Sequence, residues 1–295
     1  MSVGTATDGL RYTEADLRAA LTTRVVGREV RCFEEIDSTS REARRVVESG
    51  AGVHGAVVVA HRQTAGRGTG GKAWESRAPV GLWVTVLLMD AAPHPISLVI
   101  GCAVVDAIRE VAGGAADAHL KWPNDVLIGS GLGGVGGARK VSGILVETAF
   151  APGVKAPAHL VGIGINVHQE AFEGELAHRA TSVRMALGSA WDGSITVPRV
   201  FGALMGAIER HLESAESVAD RWVGRTRMID TPAAVVRGGE RTVVMVRGIT
   251  SDGRLVVEGQ SKERKAESGN QEGEHHAKRE FLAAATDMDL VWPVE

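Results

Sequence analysis

Long apolar runs, interrupted by glycine and charge, give this chain its pattern. Ala56 to Ala60 and Leu82 to Leu88 are apolar stretches, and His159 to Val167 is a third that glycines interrupt. Such runs indicate strands buried within a sheet. Thr13-Glu14-Ala15-Asp16 has the form of a capping box and opens a short helix through about Leu21. A strand is expected from Val25 to Phe33, then a helix from Ser38 or Thr39, either a natural N-cap, to near Gly50. Ile96 to Val111 is apolar almost all round and predicts a buried helix. Pro198 to about Ser214 is amphipathic with proline in its first turn. Val126 to Ile128 and Val141 to Val146 flank the flexible stretch Gly129 to Gly137, so a hairpin with a long tip is expected. Pro123 lacks an N–H and belongs where the chain enters the sheet.

The pattern changes after Thr231-Pro232. Ala233 to Val236, Thr242 to Val246 and Leu255 to Val257 read as short strands separated by Gly-Gly and Asp-Gly turns, which suggests a small β-barrel. Ser261 to Lys278 is charged and poor in apolar residues, and is expected to form a solvated or disordered loop. His275 and His276 within it are expected to be exposed rather than metal-binding. The division that results is an N-terminal extension (1–30), a larger unit (31–229) and a small β-domain (230–295).

Composition narrows the class. An apolar content of 44% supports a sizeable core, and a net charge of −3 argues against general affinity for nucleic acid. Cys32 and Cys102 have neither metal-ligand nor disulfide-framework spacing, so they are expected to be reduced, buried thiols. The opening residues have no charged n-region or apolar h-region, and no run reaches transmembrane length. A cytoplasmic protein is expected.

Chemistry concentrates at the hairpin and at one loop. Lys121, Asn124 and Asp125 mark one mouth of the hairpin and Lys140 the other. Because paired strands bring their ends together, Asp125 and Lys140 should be neighbours. The loop from Gln63 to Trp74 carries Gly66-Arg67-Gly68-Thr69-Gly70-Gly71-Lys72. Glycine-rich backbone with interspersed cations can wrap a phosphate, although such loops also occur as mobile surface. It matches neither the Walker nor the dinucleotide pattern. The glycines of His159 to Val167 allow close approach of a backbone or ligand. Asn166 requires hydrogen-bond partners if it is buried.

The succession of Asp37-Ser38-Thr39, Gln63 with Gly66-Arg67-Gly68 and Trp74, KWPND at 121–125, KVSGILVE at 140–147, and Gly162-Ile163-Gly164-Ile165-Asn166 resembles the biotin protein ligases. The resemblance runs from about Glu34 to Glu295 and is most specific at KWPND followed by KVSGILVE. It is to the form lacking an N-terminal DNA-binding domain. It implies an α/β (α+β) catalytic domain with a mixed sheet, of the class II aminoacyl-tRNA synthetase and biotin synthetase-like type. An SH3-like C-terminal barrel is implied beside it. The implied reaction activates biotin with ATP and Mg²⁺ to biotinyl-5′-adenylate, then transfers biotin to a lysine of a biotin carboxyl carrier protein. No DNA or membrane partner is implied, and the chain would act as a monomer or homodimer.

Residue by residue, the resemblance makes Lys140, Arg67 and Asp125 catalytic, with Lys140 between carboxylate and phosphate. Asp125 would orient the incoming carrier lysine or accept its proton. Ser38, Thr39 and Gln63 fall at the ureido end of the biotin site, which Ser40, Arg67, Gly68, Thr69 and Lys140 complete. Lys72, Trp74, Lys121, Asn124 and Asn166 fall on the adenylate, and no protein metal ligand is implied. Three positions depart from the family pattern: Thr69 and Lys72 stand where arginines are usual, and Ser40 where asparagine is. A charged hydrogen bond is worth about 1.5–3 kcal/mol, so Thr69 implies faster adenylate escape and biotinylation of bystander lysines. The Gly129 to Gly137 tip is longer than the family norm. Other readings are a lipoate or octanoate ligase or transferase of the same superfamily, and a biotin-binding relative with weakened catalysis. A biotin-sensing repressor is disfavoured because few residues precede the catalytic region.

Overall fold

The computed structural model describes residues 10–76, 80–89, 95–131, 137–237, 239–260, 277–282 and 288–291. A seven-stranded mixed sheet is built from β1 (Val30–Ile36), β2 (Val57–Gln63), β3 (Gly81–Leu88), β4 (Ala118–Lys121), β5 (Asp125–Ile128), β6 (Arg139–Ala149) and β7 (Ala158–Asn166). Its order is β1-β2-β3-β7-β6-β5-β4. β1 and β2 run parallel, and every other pair is antiparallel. Helices cover both faces, which is why the central strands read as apolar runs. The chain opens with α1 (Glu14–Ala19), followed by α2 (Thr39–Glu48) and α3 (Ile96–Val111). Beyond β7 lie two short helices, α4 (Leu176–Arg179) and α5 (Val183–Leu187), then α6 (Val197–Glu213) and α7 (Val218–Val223).

The pleat sorts the core. Val58 packs with Ala43, Val46 and Val47 of α2 on one face. Val57 and Val59 join α3 and α6 on the other, as alternation along a strand requires. Each fully buried valine or leucine stabilises the fold by about 1.5–3 kcal/mol. The capping box of α1 is present: Thr13 accepts from the Asp16 N–H and donates its own N–H to the Asp16 carboxylate. Both cysteines are free. Burial pushes the Cys32 thiol up to about 11 and the Cys102 thiol up to about 12, so neither is poised for thiolate chemistry.

Three expectations are corrected. The first strand begins at Val30 rather than Val25, because Gly27 at φ +81° turns the chain and leaves Val25 exposed. Ala118–Lys121 is a strand, too short at four residues to show a period. Trp122-Pro123-Asn124 is consequently the turn of a β4–β5 hairpin, with a cis Trp122–Pro123 bond, rather than an entry into the sheet. The third correction concerns Ala277 and Lys278, which belong to a strand. The rest of the charged stretch, His275 and His276 included, and residues 132–136 of the hairpin tip lie outside the described residues.

A second, five-stranded antiparallel sheet comprises β8 (Pro232–Arg237), β9 (Glu240–Ile249), β10 (Leu255–Gln260), β11 (Ala277–Leu282) and β12 (Met288–Val291), in the order β11-β10-β9-β8-β12. It is joined to the first. Ala233, Val244, Val246 and Leu255 share one continuous apolar cluster with Leu98, Trp122 and Met228. The Trp122 indole donates to the Gly253 carbonyl at 2.9 Å. Gly253, in the β9–β10 turn, has φ +84°, and a Cβ there would sit 2.4 Å from Pro95 Cγ. Among the described residues no helix is long and apolar enough to cross a membrane.

Candidate active site

One cavity gathers the start of α2, the glycine loop, the β4–β5 turn and the middle of β6 and β7. Its lining includes Ser38, Thr39, Ser40, Gln63, Arg67, Gly68, Thr69, Trp74, Asn124 and Lys140. These are ten of the fourteen residues expected from the sequence. Lys72, Lys121, Asp125 and Asn166 are not among the lining residues, although Asp125 pairs with the lining Lys140.

At the α2 end the cavity is hydroxylic. Ser38 occupies the N-cap position without a side-chain cap bond. The Thr39 backbone N–H and hydroxyl both donate to Gln63 Oε1, at 2.8 and 3.1 Å. Because a backbone N–H can only donate, this fixes which end of the Gln63 amide carries oxygen. Its Nε2 donates to Ser76 Oγ at 3.1 Å. Behind Thr39 lies Thr85 of β3, which donates to Thr39 Oγ1 at 2.9 Å and sits 3.2 Å from Ser40 Oγ. The single Thr85 proton goes to Thr39, so Ser40 must supply the other. The result is a directed chain, Ser40 to Thr85 to Thr39 to Gln63. Thr85 was missed from the sequence; its only signal is a hydroxyl inside an otherwise apolar buried run.

At the other end stands Lys140. The β5–β6 ladder shifts register between Val126 and Leu127, so Val141 is an extra residue on β6. A bulge changes the phase of the strand, and Lys140 thereby shares a face with Gly143, three residues on. Its Nζ lies 3.0 Å from where a Gly143 Cβ would be. Lys140 Nζ is 2.5 Å from Asp125 Oδ1, the neighbour relation expected from the sequence. Asn124 is pinned to β6 from both sides: its Nδ2 donates to the Ile144 carbonyl at 2.8 Å, and its own carbonyl accepts from the Ile144 N–H at 2.9 Å. Lys121 pairs in register with Asp125. Burial lowers its pKa; Asp125 opposes this, while the charges of Lys140 and Arg179 add to it.

Between the two ends lies Trp74. Gly143 and Gly164 face each other across β6 and β7, and the indole covers them. A Cβ on Gly164 would sit 2.4 Å from Trp74 Cε2, and one on Gly143 would sit 3.0 Å from Cζ3. These β6 and β7 glycines therefore admit a ring where any side chain would block it. Trp83 meets Trp74 edge-on at 6.2 Å, Lys140 Nζ lies 5.4 Å from the ring, and the indole N–H is buried without a partner. Arg67 turns away to Glu147 of β6, with Nη1 2.8 Å from Oε1. Asn166, at the end of β7, donates to the Thr181 carbonyl at 3.0 Å and accepts from Gln169. Thr181 in turn donates its N–H to the Lys140 carbonyl at 2.9 Å. Asn166 thus meets its hydrogen-bond requirement and braces the strand bearing Lys140. Among the described residues no three His, Cys, Asp or Glu side chains gather as a metal site.

A mixed sheet flanked by helices, with a hydroxylic recess at one end and a lysine–aspartate pair at the other, has the architecture of a biotin synthetase-like catalytic domain. Residues 32–166, from β1 to the end of β7, match the sequence profile of the Biotin/lipoate A/B protein ligase family. The biotin–[acetyl-CoA-carboxylase] ligase of Mycobacterium tuberculosis is 31% identical over 238 residues, covering 78% of this chain and 84% of that protein. The chain belongs to this family. The bifunctional ligase/repressor BirA of Bacillus subtilis is 34% identical over 188 residues; the match covers 62% of this chain and 54% of BirA, so the chain spans about half the length of that relative. Among solved structures, the biotin protein ligase from Aquifex aeolicus in complex with biotin and ATP superposes with a TM-score of 0.64 at 25% identity, covering 90% of this chain and 99% of that one.

Proposed function

We propose that this chain is a biotin protein ligase. In this reading a biotin carboxylate oxygen attacks the α-phosphorus of MgATP and pyrophosphate leaves, giving biotinyl-5′-adenylate. The neutral amine of a carrier lysine then attacks the acyl carbon, AMP leaves, and the amine proton is lost toward Asp125. The observation that carries the proposal is Lys140, held by the β6 bulge beside Asp125 at the mouth of a cavity whose far end is lined by hydroxyls. Two anions must meet in the first step. A cation at about 4 Å from either contributes of order 4 kcal/mol at an effective dielectric near 20. The hydroxyl chain suits the polar ureido head of biotin and offers nothing to the dithiolane of lipoate, which is why biotin is favoured as substrate.

Mg²⁺ is assigned to the nucleotide as part of the substrate, since among the described residues no three His, Cys, Asp or Glu side chains gather as a metal site. The acceptor would be a lysine on the biotin carrier domain of a carboxylase, in the cytoplasm. Residues 31–229 would carry the chemistry, with 230–295 as an appended β-domain.

The test is formation of pyrophosphate and AMP from biotin and MgATP, with and without a carrier domain. The parent should release pyrophosphate with biotin and near-background amounts with lipoate. Lys140→Ala should lose at least about 100-fold in kcat. Lipoate-dependent turnover exceeding that with biotin would transfer the assignment to the lipoate branch of the family.

A further inference from the structure

We infer that Glu147 is a positioning residue: it latches the glycine loop to the sheet through Arg67. The loop is a small hairpin closed by its own backbone. Gly68 N donates to the Lys72 carbonyl at 2.8 Å, Trp74 N donates to the Gly66 carbonyl at 3.0 Å, and Arg67 bridges Ala73. Arg67 then reaches across to β6, where its Nη1 lies 2.8 Å from Glu147 Oε1.

Glu147 is badly placed as a mere surface charge. Its side chain is 15% exposed, against 43% for Arg67, and its second oxygen, Oε2, is buried with no hydrogen-bond partner. A carboxylate desolvated on one side costs stability unless a cation compensates. The compensating cation here belongs to the loop. Arg44 of α2 is the other candidate, but it stands at 3.7 Å from the same oxygen and gives its shorter bond, 2.9 Å, to the Thr148 carbonyl. Glu147 therefore trades its own solvation for a hold on the segment that carries Trp74 onto the Gly143–Gly164 cradle. With Thr69 and Gly70 supplying no charge beside it, Arg67 bears this hold on the loop's first limb.

Limited trypsin digestion of the ligand-free protein tests this, and its outcome does not depend on the ligase assignment. Cleavage after Lys72, an exposed residue inside the closed hairpin, requires the loop to open, and its rate follows the population of the open form. Glu147→Gln and Arg67→Gln should each speed cleavage after Lys72 about fivefold, and the double variant should be no faster than either single one. Arg67→Lys keeps the charge and should restore protection. Arg44→Gln should leave the rate unchanged. The thermal midpoint of Glu147→Gln should move by less than about 3 °C. Parent-like cleavage of Glu147→Gln, multiplicative effects in the double variant, or a large fall in midpoint would each overturn the latch. If Glu147→Gln fails to fold, Arg67→Gln and Arg67→Lys decide the matter alone.

Discussion

At the scale of single residues, the site depends on groups that do not line its cavity. Thr85 is the clearest case. It lies beneath Thr39 and Ser40 in the middle of β3, and through them it orients Gln63. Thr85→Val preserves shape and removes the relay. Under the ligase reading, the biotin KM should rise about 5–10-fold, as loss of about one hydrogen bond predicts, with kcat changed little. Thr85→Ser should restore the parent value. A biotin KM that stays put in the valine variant, measured by pyrophosphate exchange, would show that the chain of hydroxyls does not orient the recess. Charges were legible in the sequence where motifs announced them, as at KWPND. Thr85 was not legible, because one hydroxyl in a buried strand gives no pattern; only the fold shows which hydroxyls stand behind it.

At the scale of elements, α3, α6 and α7 are held by a polar cluster far from the cavity. Asp106 of α3 accepts from His211 Nε2 at 2.8 Å and takes a bidentate pair from Arg225 at 2.7 and 2.8 Å. Arg221, buried, donates to the His211 carbonyl at 2.7 Å. Burial pushes the Asp106 carboxyl up, but the bonds from His211 and Arg225 outweigh it and hold the group well below the usual carboxylate range. A depressed folded-state pKa means that the contribution is fully present above about pH 4, the unfolded value, and is lost as pH falls further. Asp106→Asn should therefore lower the urea-unfolding free energy by about 3 kcal/mol at pH 7. The gap to the parent should narrow as both are titrated below pH 4. A gap independent of pH would show that the carboxylate charge is not what holds the helices. The cluster also reaches the site's scaffold, since the Arg225 carbonyl accepts from the Leu120 N–H at 2.7 Å, on the edge strand that leads to Lys121.

Helix α3 was legible as a run apolar all round, and α6 through its proline and its stripe. The buried ends of the long strands were legible for the same reason. The β4 strand and the β6 bulge were not. Four residues are too few to display a period, and an inserted residue is defined only by the partner strand it fails to match. That bulge nevertheless decides where Lys140 points, so the position of the principal cation is a property of the pairing rather than of the local sequence.

At the scale of the whole molecule, the two sheets were expected as separate units from a break in pattern at Thr231-Pro232. The second sheet begins at Pro232, and side chains bridge it to the first. The Trp122 indole sits in the turn between Lys121 and Asn124, whose last residue lines the cavity, and its N–H is given to a carbonyl 131 residues away. Gly253 can offer that carbonyl because it alone fits against Pro95 at its positive φ. Gly253→Ala should cost about 2 kcal/mol or more in denaturant unfolding, from the left-handed backbone and the clash together. An unchanged midpoint would mean that the turn can lift away freely. The wider consequence concerns modularity. A shortened chain ending near residue 230 would bare the tryptophan, Met228 and Leu98 at once, so it should unfold at lower denaturant than the full chain rather than serve as a part that can be swapped between scaffolds: the corner at Trp122 is finished by the lesser half leaning on it.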